Sequence, residues 1–183
     1  MTYRNWTYIA FSWNNTTDPT KSDIKYFNMI KWWNSMKGKD FSFNNSHEKT
    51  YQVRDTSHIS TLKNRLSERL SKSKHLLLII TDLSIYNKWM LNWEIEKAVD
   101  NYKLPIIIVY PWDNYILAPN KLEHLWPSSL KIRINNWDAK CIHIPFKEIV
   151  ISSALNQFSI HDEQISTSLN YYTKETYINW GLI

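Results

Sequence analysis

The residues best suited to chemistry stand in one run, Asn87-Lys88-Trp89-Met90-Leu91-Asn92-Trp93-Glu94-Ile95-Glu96. Trp89 and Trp93 are four apart and share a helical face, while Glu94 points roughly 100° round from Trp93. By spacing alone Glu94 and Glu96 also read as solvated helix carboxylates, with Lys88 and Lys97 as weak partners. Two features set Glu94 apart. Its neighbours Met90, Leu91, Trp93 and Ile95 are apolar, and its helix begins just after an apolar, strand-like run. A carboxylate held beside aromatic faces can stabilise a developing cation.

Other chemistries are poorly supplied. The only glycines are Gly38 and Gly181, so neither a G-x-G-x-x-G dinucleotide loop nor a P-loop can be written. A phosphoryl-accepting receiver domain is imitated by Asp82 after Leu76–Thr81. The first strand, however, ends in Phe11-Ser12-Trp13-Asn14, with no carboxylate to hold magnesium, and Asp82 reads as a turn residue. His47, His58, His75, His124, His143 and His161 make no H-x-x-x-H pair, and there is no Cys-x-x-Cys. No metal site is expected, and each histidine reads as a surface or loop residue, with His143 opposite Ile142 and Ile144 across a strand. The single cysteine, Cys141, rules out an intrachain disulfide, suits a reducing compartment and reads as a buried structural thiol.

These residues have to be positioned by a fold, and 183 residues suit one domain with a sizeable core. Short apolar runs alternate with longer amphipathic ones, the pattern of a parallel sheet covered by helices. Strands are expected at 7–12, 41–43, 76–80, 105–110 and 140–145. Helices are expected at about 22–37, 57–71, 88–101 and 146–158, with loops and short helical turns between 111 and 139. In the first helix Tyr26, Met29, Trp33 and Met36, with Ile30 alongside, form the expected buried stripe; in the second it is Ile59, Leu62, Leu66 and Leu70. The order implies an α/β, flavodoxin-like sheet of about five strands over residues 1–158, and residues 159–183 form a C-terminal extension. In such sheets ligands bind beyond the carboxyl ends of the strands. That selects Phe11–Asn14, the 44–55 loop and Thr81–Tyr86 as segments able to share a site.

The net charge of +5 and pI near 9.1 are spread along the chain. The densest run, Lys72-Ser73-Lys74-His75, reads as a solvated basic face, which disfavours nucleic-acid binding. The longest apolar runs are too short to span a bilayer, and the N-terminus lacks a charged-then-apolar signal pattern. A cytoplasmic location without membrane attachment is expected.

The run Ser84-Ile85-Tyr86-Asn87-Lys88-Trp89, followed by Trp93-Glu94-Ile95-Glu96-Lys97-Ala98, resembles the signature of TIR domains, in which a serine precedes a tryptophan and then a catalytic glutamate. Tyr8–Ser12, Phe41-Ser42-Phe43 with Ser46-His47, Arg54-Asp55, and Leu66–Lys74 leading into Leu76–Ile80 extend the resemblance over about residues 6–112. It is closest to the short stand-alone TIR-like proteins of bacteria and archaea, which include the TIR component of Thoeris antiphage systems. Trp89 and Glu94 stand five residues apart, a longer spacing than some TIR domains use.

The resemblance implies an enzyme, an NAD glycohydrolase or ADP-ribosyl cyclase, with NAD as substrate and no other cofactor. Glu94 is then the catalytic residue. Phe11 and Trp13 would stack on a ring; Ser12, Asn14, His47, Asp55 and Ser84 would supply hydrogen bonds; Trp89 and Trp93 complete the substrate-binding set. The product, expected to be a cyclic ADP-ribose-derived signal, would activate a separate effector protein in antiviral defence, with a phage-derived trigger upstream. The alternative is a non-catalytic TIR module acting by self-association through exposed aromatics such as Trp32, Trp112 and Trp137.

Overall fold

The computed structural model describes residues 4–12, 18, 22–36, 59–84, 89–162 and 165–183. Its framework is four parallel strands, β1 (Trp6–Ala10), β2 (Ser73–Ile79), β3 (Ile106–Tyr110) and β4 (Cys141–Pro145), hydrogen-bonded in the order β1-β2-β3-β4. In register, Tyr8 faces Leu76, Leu76 faces Ile106, and Ile108 faces His143. Leu76–Ile79 of β2 and Ile106–Val109 of β3 are continuous apolar runs, as expected of central strands covered by helices on both faces. The fold is a mixed α/β, flavodoxin-like arrangement. The strand expected at 41–43 lies outside the described residues.

Strand side chains alternate, so each strand feeds two cores. Tyr8, Ala10, Leu76, Leu78, Ile106, Ile108 and Cys141 enter one core. It is closed by α2 (Ile59–Ser71), α3 (Trp89–Glu96) and α4 (Ser128–Asn135) through Leu66, Leu70, Leu91, Ile95, Leu130 and Ile134. Ile9, Phe11, Leu77, Ile79, Ile107, Val109, Ile142 and Ile144 enter the other. That side is closed by α1 (Ile24–Ser35), α5 (Glu148–Gln157) and α6 (Lys174–Asn179).

Three expectations need correction. In α1 the inward residues are Ile24, Phe27, Ile30 and Trp33, whereas Met29 and Met36 are exposed and Tyr26 only half-buried. Phe27 stacks on Phe11 at 5.4 Å, a contact that turns the helix away from the Met29 face, while Trp33 and Tyr26 both pack on Phe146, at 5.1 and 5.2 Å. In α2, Leu66 and Leu70 are buried but Ile59, in the first turn, is exposed. His75 is not on a solvated basic face. Ser73 and His75 alternate inward on β2 and are fully covered, while Lys74 stands between them and Lys72 just before them.

The expected third helix runs without a break over residues 89–101, in two geometries. Regular α3 passes into a wider turn over Lys97–Asn101, where the Tyr102 N–H reaches back five residues to the Lys97 carbonyl at 3.1 Å. Between β3 and β4 the chain makes a 3-10 segment, Pro119–Leu125, and then α4, whose first turn is capped from α3. Asn92 Oδ1 accepts the Ser129 N–H at 3.1 Å and the Ser129 hydroxyl at 2.7 Å. Trp126, expected in a loop, is buried and donates through Nε1 to the Tyr110 hydroxyl at 2.8 Å.

The C-terminal residues lie on this framework. Residues 167–170 run beside β4: the Cys141 N–H donates to the Thr167 carbonyl at 3.1 Å and the His143 N–H to the Asn170 carbonyl at 2.8 Å. Tyr172, Tyr177 and Trp180 then meet edge to face, the nearest pair at 4.9 Å, and close the α1/α5 core.

The corrected α1 face has a direct consequence. Phe27→Ala is expected to cost about 3–5 kcal/mol in urea unfolding. Met29→Ala, on the exposed side, should stay within about 0.5 kcal/mol of the parent. Equal losses would restore the stripe read from sequence.

Candidate functional site

Glu94 sits on the inward stripe of α3. Leu91, Glu94, Ile95 and Ala98 follow the three-and-four spacing of one helical face, and all four are buried. The carboxyl group is thereby delivered into the core between α3 and the sheet, with the residue only 2% exposed. Tyr8, on the strand face that points toward the same helices, donates its hydroxyl to Glu94 Oε1 at 2.5 Å. Burial raises the Glu94 carboxyl to about 8, with the Tyr8 hydrogen bond opposing that rise. Desolvation wins, and the resting group is mostly protonated at neutral pH.

The other expected site residues divide into three sets. Ser12 and Ser84 meet at the carboxyl ends of β1 and β2. The Ser12 hydroxyl donates to the Leu83 carbonyl at 3.2 Å, and Ser84 Oγ accepts the Thr81 N–H at 3.0 Å. Trp89 and Trp93 flank one cation, the Lys63 ammonium of α2, which lies 5.2 and 5.7 Å from the two ring centres. Phe11 is turned to the other face of the sheet, buried against Phe27, and so stands on the opposite side from Glu94. Trp13, Asn14, His47 and Asp55 lie outside the described residues.

Several polar residues at the site were not read from the sequence. Asp23, just before α1, is buried at the same sheet end. Its Oδ2 accepts the Thr81 hydroxyl at 2.8 Å, and its own N–H donates to the Ser12 carbonyl at 3.1 Å. Burial is the main cause that lifts its carboxyl to about 6, against hydrogen bonds from Thr81 and the Ser12 backbone. Asp23 thus ties the ends of β1 and β2 to the start of α1. Tyr8 had a faint signal, since strand alternation places it on one face with Ala10. Its partner stands 86 positions away, and no local pattern links them.

The buried histidines are held as structural groups. His75 Nδ1 donates to the Phe158 carbonyl at 2.7 Å, which leaves Nε2 to accept the Thr7 hydroxyl at 2.7 Å. His143 Nε2 donates to the Ser168 carbonyl at 3.1 Å while Nδ1 accepts the Tyr110 hydroxyl at 2.8 Å. Burial lowers the two rings to about 3 and about 4, so both stay neutral with both nitrogens engaged. Neither is free to act as a base. Cys141 is buried and its thiol is pushed up by desolvation, away from nucleophilic use. Among the described residues no three His, Cys, Asp or Glu side chains form a group able to hold a metal ion, and no helix is long and apolar enough to cross a membrane.

The raised carboxyl makes a testable link to stability. The folded chain holds the Glu94 proton more tightly than the unfolded chain, whose value is near 4.5. That contribution is complete below about pH 4.5 and is lost as pH rises through about 8. Between about pH 5 and about pH 9 the parent should lose stability relative to Glu94→Gln, by on the order of a few kcal/mol. Urea midpoints measure this, and identical pH slopes in the two proteins would contradict it.

A comparison with protein families places these residues in a known context. The model of the family described as Thoeris protein ThsB, TIR-like domain, matches residues 8–115, a span that includes Tyr8, Asp23, Ser84, Trp89 and Glu94.

Proposed function

The chain belongs to the Thoeris ThsB TIR-like domain family, and from that premise we propose that it is an enzyme that cleaves NAD with Glu94 as the catalytic carboxylate. The observation that carries the reading is the family match over residues 8–115, with Glu94 on the helix that follows the central strand β2. Cleavage breaks the bond between the ribose C1′ and the nicotinamide nitrogen. Its electron pair leaves with nicotinamide, which becomes neutral and needs no general acid. Positive charge develops on the ribose, as in glycoside hydrolysis. An ionised Glu94 would hold the ribose hydroxyls and stabilise that charge in surroundings from which water is largely excluded.

The nucleophile that then adds to C1′ and loses a proton sets the product. Water gives ADP-ribose, a ring nitrogen or sugar hydroxyl of the same molecule gives a cyclic isomer, and an outside nucleophile gives a conjugate. We read the product as a cyclic ADP-ribose-derived signal that activates a separate effector in antiphage defence, after a phage-derived trigger switches the enzyme on. NAD is the substrate here, and no further cofactor is invoked. Ser12, Ser84, Trp89 and Trp93 would line the approach from the carboxyl end of the sheet, with Trp13, Asn14, His47 and Asp55 completing the proposed substrate contacts, while Phe11, turned into the opposite core, is withdrawn from that set.

A second reading, a self-associating module without catalysis, is favoured by one observation. Glu94 is buried and mostly neutral at rest, while Trp32, Trp112 and Trp137 are 58%, 51% and 69% exposed. Incubation with NAD, with and without lysate of phage-infected cells, separates the two when nicotinamide is followed by chromatography. Release is expected, and Glu94→Gln should lower it by about 10²–10³-fold. Release unchanged in that variant would overturn the role of Glu94. No release under any condition, with assembly seen by light scattering, would favour the module.

A further inference from the structure

A carboxylate that must ionise inside a core needs help from its surroundings. Among the described residues, the core on the face of the sheet that α3 covers is apolar, with Leu76 and Leu78 of β2, Ile106 and Ile108 of β3, and Leu91 and Ile95 of the helix that carries Glu94. Charged and titratable groups are few there. Glu96 is exposed on the outer side of α3, Arg133 of α4 is paired with Asp100, and Lys63 of α2 is occupied over Trp89 and Trp93. Tyr8 of β1 and Arg69 of α2 remain. Tyr8 is 1% exposed, and its hydroxyl donates to the carboxyl at 2.5 Å. Arg69 Nη1 is buried and has no hydrogen-bond partner among the described residues, an arrangement that costs free energy unless the charge is used.

We propose that Tyr8 is the positioning residue of Glu94, holding its carboxyl in one orientation and favouring its ionised form, and that Arg69 supports the Tyr8 hydroxyl as a donor. The proposal rests on the reading of Glu94 as the reacting carboxylate and names what would set its charge. The electrostatics run in the required direction at both steps. Burial, then the charge of Glu94 and the hydrogen bond to it, push the Tyr8 hydroxyl well above its ordinary value, and the Arg69 charge opposes them. A cation that eases charge onto the phenol oxygen also strengthens its O–H as a donor. The Tyr8 hydrogen bond, in turn, is the influence that draws the Glu94 carboxyl down against its burial. Arg69 thus acts on Glu94 through Tyr8, and neither residue needs to touch substrate.

The test reads Glu94 directly. Protein labelled with ¹³C at glutamate side chains is titrated by NMR, and the Glu94 carboxyl signal is assigned by its loss in Glu94→Gln. Tyr8→Phe keeps the ring and removes only the hydroxyl. It is expected to move the Glu94 midpoint to higher pH by about one pH unit. The acid limb of the nicotinamide-release profile should move with it, lowering kcat near neutral pH by about tenfold while KM stays within about twofold. Arg69→Gln should move the midpoint the same way by less, and provides the reading if Tyr8→Phe does not fold. A Glu94 midpoint unchanged in folded variants overturns the proposal, because a purely structural role for Tyr8 would leave it where it is. The midpoint is measured without turnover. A protein that shows the movement but never releases nicotinamide would keep the positioning role and lose the NAD reading.

Discussion

Everything in this molecule answers to a sheet with no wet face. Once β1 to β4 are covered by helices on both sides, a polar side chain on a strand has no water to turn to and must find a partner from another element. The partners that satisfy this need are also what hold the helices in place. Tyr8 meets Glu94 of α3, Thr7 and His75 meet the end of α5 through the Phe158 carbonyl, and Tyr110 and His143 meet Trp126 and the Ser168 carbonyl. Each of these joins segments that apolar packing alone would leave free to slide. The carboxyl ends of β1 and β2 follow the same rule, with Asp23, Thr81, Ser12 and Ser84 bonded to one another or to the turn between them.

That constraint shapes how a carboxylate can serve here. A glutamate on a solvated helix face would ionise freely and attract water to any cation formed nearby. Glu94 is placed at the other extreme, where its charge is costly and its field would be little screened. Such a group would stabilise a nearby positive charge weakly while protonated and strongly once ionised. Under the proposed chemistry, such a placement would fit a dependence on the proposed trigger.

The framework was legible wherever local pattern and tertiary environment agree. Leu76–Ile80 and Pro105–Tyr110 are apolar at every step, and only a strand covered on both sides accepts such a run. The face of Glu94 was half legible, since its apolar neighbours marked it as unusual. Its partner was not, because Tyr8 comes from a distant strand. The face of α1 was misread because the helix is apolar nearly all round, with Tyr26, Met29, Trp33 and Met36 as regular as Ile24, Phe27, Ile30 and Trp33. The choice between them is made by Phe11, which stacks on Phe27 and which no window on α1 contains. His75 was hidden in a different way. Lys-Ser-Lys-His reads as polar surface until strand alternation sends Ser73 and His75 inward. Residues 167–170 carry no periodic signal because they attach to β4 chiefly through backbone groups.

That last attachment also limits how copies of this protein can meet. The outer rim of β4 would otherwise present unpaired N–H and C=O groups, a template on which a strand from another molecule could add. With Thr167 and Asn170 already bonded there, the sheet cannot be continued from one copy into the next along that side. Any contact between copies at this flank has to be made other than by adding a strand to β4, through side chains, and is therefore open to dissociation in a way that a shared sheet is not.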